Sequence, residues 1–154
     1  MPEDIQVFHV DLGPLDALLL AADFYGALAR SDWRMERDRR RAIPILVSKG
    51  ESLACVMLEA HFGRLFSPSA PADAAEPVAF LMRRPPRESR AFVVERPFEM
   101  RSYPLRDFRL PPRGLRSYLR ALGLSAVRFD GPGRIQYLLD PGALEPVPDR
   151  GRSA

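Results

Sequence analysis

Residues 15–30 read Leu-Asp-Ala-Leu-Leu-Leu-Ala-Ala-Asp-Phe-Tyr-Gly-Ala-Leu-Ala-Arg, and this stretch decides which fold the sequence predicts. Its apolar side chains recur at positions 15, 18, 19, 22, 25 and 28, which is the spacing of one face of an α-helix. Pro14 stands just before it, where a helix tolerates a missing backbone N–H. We therefore predict a helix over Leu15–Arg30, preceded by a β-strand over Ile5–Val10.

The rest of the chain predicts short strands and one further helix. The helix begins after Pro111 and ends at Gly123. Its four apolar side chains are predicted to lie on the inner side, and they are Leu115, Tyr118, Leu119 and Leu122. Strands are predicted over residues 33–37, 42–47, 77–82, 91–95, 100–110, 126–130 and 134–139. Residues 52–66 suit either a helix or a buried strand, and residues 83–90 are predicted as a charged loop.

Length and composition favour one α+β domain. The chain has 154 residues, an apolar content of 46% and a net charge of +3, which is ordinary for one globular domain. No stretch approaches the roughly 20 apolar residues that span a bilayer, and the acidic start lacks the basic region of a signal peptide. Cys55 has no second cysteine to pair with. We therefore expect a cytoplasmic protein that does not enter a membrane.

Two segments of similar sequence suggest an internal duplication. Ala27-Leu28-x-x-Ser31-x-Trp33-Arg34 can be laid over Ala121-Leu122-x-x-Ser125-x-Val127-Arg128, each at the end of a predicted helix. Two such units could cover each other's apolar sheet faces. The predicted domain therefore covers residues 5–146, as two βαβββ half-units over 5–66 and 77–146 with a linker at 67–76. Residues 1–4 and 147–154 are predicted tails, the second of them disordered.

The order of motifs resembles the vicinal-oxygen-chelate superfamily of glyoxalases, extradiol dioxygenases and bleomycin-resistance proteins. The resemblance rests on Phe8-His-Val-Asp-Leu12, on Glu76-Pro-Val-Ala-Phe80 and on Tyr137-Leu-Leu-Asp-Pro-Gly-Ala-Leu-Glu145. It implies a paired βαβββ fold that binds a small molecule, with His9, Asp11 and Tyr137 against the ligand. It also implies a divalent metal held by His9 and Glu145.

The metal expectation is weak within that resemblance. The second-half strand begins with Pro77 and Val78, and neither side chain can ligate a metal. Most divalent sites take three or more protein ligands, so two residues would leave a degenerate site. The sequence therefore favours binding of a small molecule over metal catalysis, and it defines no reaction.

Arginine clusters support a second interpretation. Lys49 is the single lysine, so 22 of the 23 basic residues are arginines. The candidate phosphate-binding residues are Arg39, Arg40, Arg41, Arg113, Arg116 and Arg120. These would suit a nucleic-acid-binding accessory protein, although acidic residues interleave with the arginines and a GC-rich genome would favour the same composition.

A third interpretation is a non-catalytic subunit of a larger bacterial assembly. A strand in the proline-rich part of the chain, over residues 83–110, would then offer an edge to a partner protein, and a homodimer is a further alternative.

Two local features say little about function. The apolar surroundings of Cys55 predict an inert thiol, and Ser48-Lys-Gly-Glu-Ser52 is predicted as a turn more often than as a phosphate site.

Overall fold

The computed structural model describes residues 3–12, 15–40, 42–62, 77–84, 88–144 and 146, without the side chains of 83, 84, 88 and 89. Within these ranges the chain is mostly β, with eleven strands in two mixed sheets and two α-helices. The strands are β1 Asp4–Asp11, β2 Asp16–Leu20, β3 Gly26–Leu28, β4 Arg34–Arg37, β5 Pro44–Ser48, β6 Glu51–Met57, β7 Val78–Arg84, β8 Glu88–Val94, β9 Phe98–Pro104, β10 Leu124–Phe129 and β11 Ile135–Leu139. The helices are α1 Leu58–Phe62 and α2 Arg113–Ala121. The α+β class is confirmed at this level.

The chain forms two compact units that interleave along the sequence. Of the described residues, those within 3–23 and 96–144 belong to unit 1, and those within 24–62 and 77–95, together with 146, belong to unit 2. The chain therefore begins in unit 1 with β1 and β2, builds all of the unit 2 sheet, and returns to unit 1 for β9 to β11.

The sheet of unit 1 is closed by the segment that follows β9. Its strand order is β10-β11-β2-β1-β9, antiparallel except for the parallel pair β11 and β2. Beyond β9, Arg109 and Val127 of β10 exchange two backbone hydrogen bonds of 2.9 Å. Because the two edges of the sheet are joined in this way, the sheet is rolled into a barrel rather than open.

The connection between the two edge strands of the unit 2 sheet is too short for a flat sheet. The strand order of this sheet is β3-β7-β8-β6-β5-β4, with β6 and β8 parallel. A flat sheet of this width would hold its edge strands about 24 Å apart. However, Leu28 at the end of β3 and Arg34 at the start of β4 are close in sequence, and so short a segment spans at most about 21 Å. The edge strands must therefore approach each other.

Trp33 lies in that connection and belongs to the core of unit 2. Its indole Nε1 donates to Leu28 O at 3.2 Å, and only 6% of the residue is exposed. The same core cluster takes alternate residues from the central strands, as a sheet face requires. Its other buried members are Leu46, Leu53, Cys55, Ala79, Leu81, Ala91 and Val93.

The predicted helix over Leu15–Arg30 is wrong. In the described part of this stretch, β2 and β3 are strands, separated by a single 3-10 turn at Ala21–Asp23. Residues 15–19 are all buried, so both faces of β2 are covered. A strand of this kind carries apolar residues on both faces and loses the alternation that distinguishes a strand from a buried helix.

The loss of this helix also removes the βαβββ order predicted for residues 5–66, because β1 is followed directly by β2. Tyr25 lies just before β3, whereas Tyr118 lies in α2, so the two segments that suggested a duplication have different structures.

Several other predictions are confirmed. The strand over Ile5–Val10 is β1, the final hairpin is β10 and β11, and the helix that ends at Gly123 is α2. The ambiguous stretch 52–66 is strand to Met57 and helix to Phe62. Strands β7 and β8 extend well into the predicted loop at 83–90, and β9 ends at Pro104 rather than at residue 110. The predicted linker at 67–76 and the tail at 147–154 lie outside the described residues.

The hairpin between β5 and β6 has a strained tip. Ser48 pairs with Glu51, and the two residues between them, Lys49 and Gly50, have φ of 48° and 80°. Glycine and asparagine tolerate this left-handed region, but lysine does not favour it. The predicted turn is confirmed, and the segment does not begin a helix that could hold a phosphate.

We expect Lys49→Asn to raise the free energy of unfolding by about 0.5–1 kcal/mol, because asparagine suits the first position of this turn. The midpoint of urea unfolding measures the change, at an unchanged slope. Lys49→Ala is the control, since alanine keeps the left-handed strain. An equal gain from both substitutions would show that the loss of the lysine charge, and not the backbone, is the cause.

Within the described residues, no helix is both long enough and apolar enough to cross a membrane.

Candidate functional site

A network of polar side chains crosses one face of the sheet in unit 1. Asp16 of β2 is at its centre and is only 7% exposed. Its Oδ2 accepts hydrogen bonds from Arg134 Nε at 2.8 Å and from Gln136 Nε2 at 3.2 Å. Its Oδ1 accepts a hydrogen bond from Nε2 of His9 on β1. Directly opposed residues share a sheet face, and the strand registers put these side chains together on it.

The network continues from Gln136 onto β10 and β9. Gln136 is fully buried, and its Oε1 accepts a hydrogen bond from Arg128 Nη1 at 2.8 Å. Arg128 Cζ lies 3.6 Å from the centroid of the Tyr103 ring, a cation–π contact. The same guanidinium lies 3.7 Å from Asp107 and 3.2 Å from Asp130. Side chains from all five strands of the unit 1 sheet are therefore linked.

The carboxylate of Asp16 stays ionised in these surroundings. Burial alone would raise its pKa, but the hydrogen bonds from Arg134, His9 and Gln136 outweigh burial and hold the pKa below its usual value. Both carboxylate oxygens are engaged by side chains of the protein itself. The arrangement therefore joins strands, and its effect is on stability.

The three predicted ligand-binding residues lie in unit 1 but do not converge. His9 and Asp11 share a face of β1, and Asp11 is exposed at the strand end, 3.8 Å from Arg134. Tyr137 neighbours Gln136 on β11 and so points from the opposite face of the sheet. The structure therefore brings His9 and Asp11 together and separates Tyr137 from them.

The predicted metal pair stays a prediction, because Glu145 lies outside the described residues. His9 is hydrogen-bonded to Asp16. Within the ranges that the structure describes, no group of three or more His, Cys, Asp or Glu side chains could hold a metal ion.

Cys55 lies in the core of unit 2, where burial raises the pKa of its thiol to about 12, partly offset by a hydrogen bond with the Val93 backbone. At pH 8 only about one molecule in 10⁴ then carries a thiolate. We expect Ellman's reagent to leave Cys55 unmodified in the native protein and to titrate it fully in 6 M guanidinium chloride. Rapid labelling of the native protein would contradict the buried position of this strand.

The predicted nucleic-acid residues fall in both units. Arg39 and Arg40 are exposed in the turn after β4, and Arg41 lies outside the described residues. Arg113, Arg116 and Arg120 are all on α2, as predicted. Arg113 and Arg120 are exposed, whereas Arg116 is half-buried and donates through Nε to Pro111 O at 2.7 Å.

The apolar side of α2 is not where the sequence predicted it. Leu115 and Tyr118 were expected to face inward, but they are 51% and 63% exposed, and no residue of the helix is buried. Leu119 and Leu122 are half-buried, so the side turned toward the protein is rotated from the apolar stripe. A helix whose apolar stripe only partly meets its own domain has apolar surface left for another molecule.

Other large apolar residues of unit 1 are also exposed. Leu110, just before α2, is 65% exposed, and Met100 of β9 is 56% exposed. Phe98 of β9 stands beside Phe8 of β1, with ring centroids 5.9 Å apart. The sequence shows that these residues are apolar. It does not show that the fold leaves their side chains exposed to solvent.

Comparison with known proteins identifies the fold and no family. No family model matches the chain, and no curated protein matches it by sequence. Among solved structures it is similar to the scaffolding protein TtCheW from Thermoanaerobacter tengcongensis, with a TM-score of 0.61. The match covers 90% of this chain and 89% of TtCheW, at 12% sequence identity. At that identity the likeness establishes the fold alone.

This match corrects the resemblance to the vicinal-oxygen-chelate superfamily. The chain is similar in fold to the scaffolding protein over nearly its whole length, and it lacks the helix on which the paired βαβββ interpretation depended. The glyoxalase-like assignment is therefore wrong, and the small-molecule function that it implied has no support.

Proposed function

We propose that this chain is a non-catalytic scaffold subunit that binds partner proteins within a larger assembly. Its fold is that of a protein described as a scaffold, over 90% of this chain. The third interpretation of the sequence, a subunit of a bacterial assembly, pointed the same way. Proteins of one fold can have unrelated functions, so a scaffold role must also be supported by a feature of this chain's own surface.

The exposed apolar side chains of unit 1 are that feature, and they carry the proposal. Among the described residues, eight of the nine large hydrophobic side chains that are exposed belong to unit 1. They are Phe98, Met100, Leu105, Leu110, Leu115, Tyr118, Phe129 and Ile135. Single exposed apolar residues are normal, but a contiguous apolar patch marks a surface that binds protein, and we infer that several of these residues contribute to such a patch.

The polar network supports a structural role for His9 and Asp16, the side chains best suited to act as an acid or a base. His9 and Asp16 bond to each other, and Asp16 is further held by Arg134 and Gln136. A group that acts as acid or base must reach a substrate proton. Here the histidine and the carboxylate are instead directed at neighbouring strands of their own sheet.

A native-complex measurement tests this proposal. The full-length chain, carrying a cleavable tag at its natural expression level, is purified under mild conditions after reversible cross-linking and weighed by native mass spectrometry. We expect it in a complex with at least one other protein in fixed stoichiometry. Recovery only as the 17.3 kDa chain or its homodimer, in cells that express it, would contradict the proposal.

A further inference from the structure

We propose that α2 is the docking surface for an acidic, amphipathic helix of a partner protein. This inference rests on the proposed scaffold function and names the chemistry of one partner. It concerns the solvent-facing side of α2, which we call the α2 surface and define by Arg113, Gly114, Leu115, Ser117, Tyr118, Arg120 and Ala121.

The centre of the α2 surface is made of small residues. At about 100° per residue, Gly114, Ser117 and Ala121 fall within a narrow stripe along the helix. All three are exposed, and a Cβ atom built on Gly114 would meet no atom within 4 Å. Helices pack at axial distances of 8–10 Å that depend on the side chains between them. A stripe of small side chains therefore lets a second helix lie close against α2.

An apolar border runs along one side of this stripe. Leu115 and Tyr118 lie there, three residues apart, and both are more than half exposed. Tyrosine is an effective anchor at protein interfaces, because it contributes a large contact area at a low cost in conformational entropy. The leucine beside it adds apolar surface that a partner can cover. A partner helix over the stripe would cover both with its own apolar residues.

A basic border runs along the other side. Arg113 and Arg120 lie about two turns apart along the helix and are separated by only about 20° around its axis. Between Asp107 and Asp130 the sequence holds five arginines and no acidic residue. Those two flanking aspartates are occupied by Arg128. The charge along the α2 surface is therefore uncompensated.

The first turn of α2 shows the same imbalance. It carries Arg113 and no acidic residue, although the positive end of a helix dipole favours carboxylates. Among the described residues, Arg109, Arg113 and Arg120 have no ion-pair partner. A residue that destabilises a helix on its own is expected where that residue is needed for binding. Carboxylates on a partner would satisfy both the arginines and the helix end.

The arrangement favours an acidic helix over an anionic membrane. A helix that lies in a membrane interface presents a wide apolar face to the lipid. The middle of the α2 surface instead holds glycine, serine and alanine, with large apolar groups on one border alone. It also differs from a phosphate-binding face, because Leu115 and Tyr118 would be left against the polar backbone of a nucleic acid.

A charge-varied helix library provides the test. The probe is a displayed library of 18-residue helical peptides with leucine fixed at positions i, i+3, i+7 and i+10, and with the flanking positions varied among Glu, Gln and Lys. Full-length protein is the bait. We expect enrichment of peptides with Glu on the flank beside the leucines, and affinity that falls as salt rises.

Three variants decide the outcome. Arg113→Glu should weaken the enriched peptides by about tenfold or more while making the first turn of α2 more favourable, so unfolding cannot explain the loss. Ser117→Leu should block the stripe to a similar extent. Arg39→Glu makes the same charge change in the turn of unit 2 and should have no comparable effect.

Other occupants are outcomes of the same experiment. No enrichment, or enrichment of Lys or Gln, would overturn the inference. So would binding to phosphatidylglycerol vesicles that Ser117→Leu strengthens, or binding of a 20-base-pair DNA duplex that exceeds peptide binding. If these variants leave the native complex intact, the α2 inference fails and the scaffold function stands. If the unaltered protein forms no complex, the scaffold function itself fails.

Discussion

Replacing Asp16 by alanine is expected to lower the free energy of unfolding by about 2–4 kcal/mol, because it leaves the donors that bond to this buried carboxylate without an acceptor. The ion pair with Arg134 adds little to this loss, since the arginine side chain is half exposed. Gln136 is fully buried, and its amide donates to Asp16 at 3.2 Å. Arg134 and His9 lose their hydrogen bonds to the same carboxylate. Equilibrium urea unfolding at pH 7 measures the effect.

Asp16→Asn is the matched control, because it keeps the shape and one acceptor oxygen but removes the charge. We expect a smaller loss of about 1–3 kcal/mol. The pKa of Asp16 is lowered in the folded protein from a usual value of 3.8. Its charge therefore stabilises the fold above that value, and this contribution is lost as the pH falls through the lower folded pKa. The advantage of the natural protein over Asp16→Asn should shrink as the pH falls below about 4. A difference that does not change between pH 7 and pH 3 would contradict this account.

Replacing Trp33 by alanine is expected to cost about 3–5 kcal/mol, the usual loss for removing a large aromatic side chain from a core. The side chain lies among the alternate residues of the unit 2 sheet and fills the connection between the two edge strands β3 and β4. Arg30 holds it from outside, with Cζ 4.5 Å from the ring and Nη1 donating to Trp33 O at 2.7 Å.

Trp33→Phe separates packing from hydrogen bonding. Phenylalanine keeps an aromatic ring in the core but loses the indole N–H that donates to Leu28 O. We therefore expect a loss of only about 1–2 kcal/mol, seen in the urea midpoint. If Trp33→Ala cost less than 1 kcal/mol, the tryptophan would not be part of the core and the curvature of the unit 2 sheet would need another cause.

Much of the strand pattern could be predicted from the sequence, because β1, β7 and the β10–β11 hairpin carry local signals. The Gly131-Pro132-Gly133 turn, for example, marks the hairpin tip. The sequence pattern predicts a helix in place of β2 for a definite physical reason. Leu18 and Leu19 point to opposite faces of the sheet and are both fully buried. When both faces of a strand are covered, its residues are apolar throughout, and a helix explains the pattern equally well.

The topology could not be predicted, since it depends on contacts distant in sequence. The parallel pairing of β11 with β2 joins Gln136 to Asp16, more than a hundred positions apart. Nothing near either residue indicates the other. The same limit hides the hydrogen-bond partner of His9 from the sequence, because the pattern around Asp16 predicts a helix and not the strand beside β1.

For the candidate surface, the sequence predicted α2 and its arginines but not which side of the helix faces solvent. The apolar stripe indicated a buried face at Leu115 and Tyr118. In the structure the half-buried residues are instead Arg116, Leu119 and Leu122. The position of a short helix on a barrel is set by where the chain enters and leaves it. Here Gly123, with φ of 86° and a Cβ direction blocked by Leu144, directs the exit into β10.

Amide hydrogen exchange of α2 is the most direct test of the main claim. That claim is that this chain binds other proteins through the exposed apolar residues of unit 1. Amide exchange over residues 113–121 is compared between the isolated chain and the chain within its purified complex. If a partner binds this helix, we expect its backbone amides to exchange at least about tenfold more slowly in the complex, with exchange in the turn at Arg39 and Arg40 unchanged. Equal rates in both samples over the helix, over β9 and over the hairpin of β10 and β11 would mean that no partner binds these uncovered parts of unit 1.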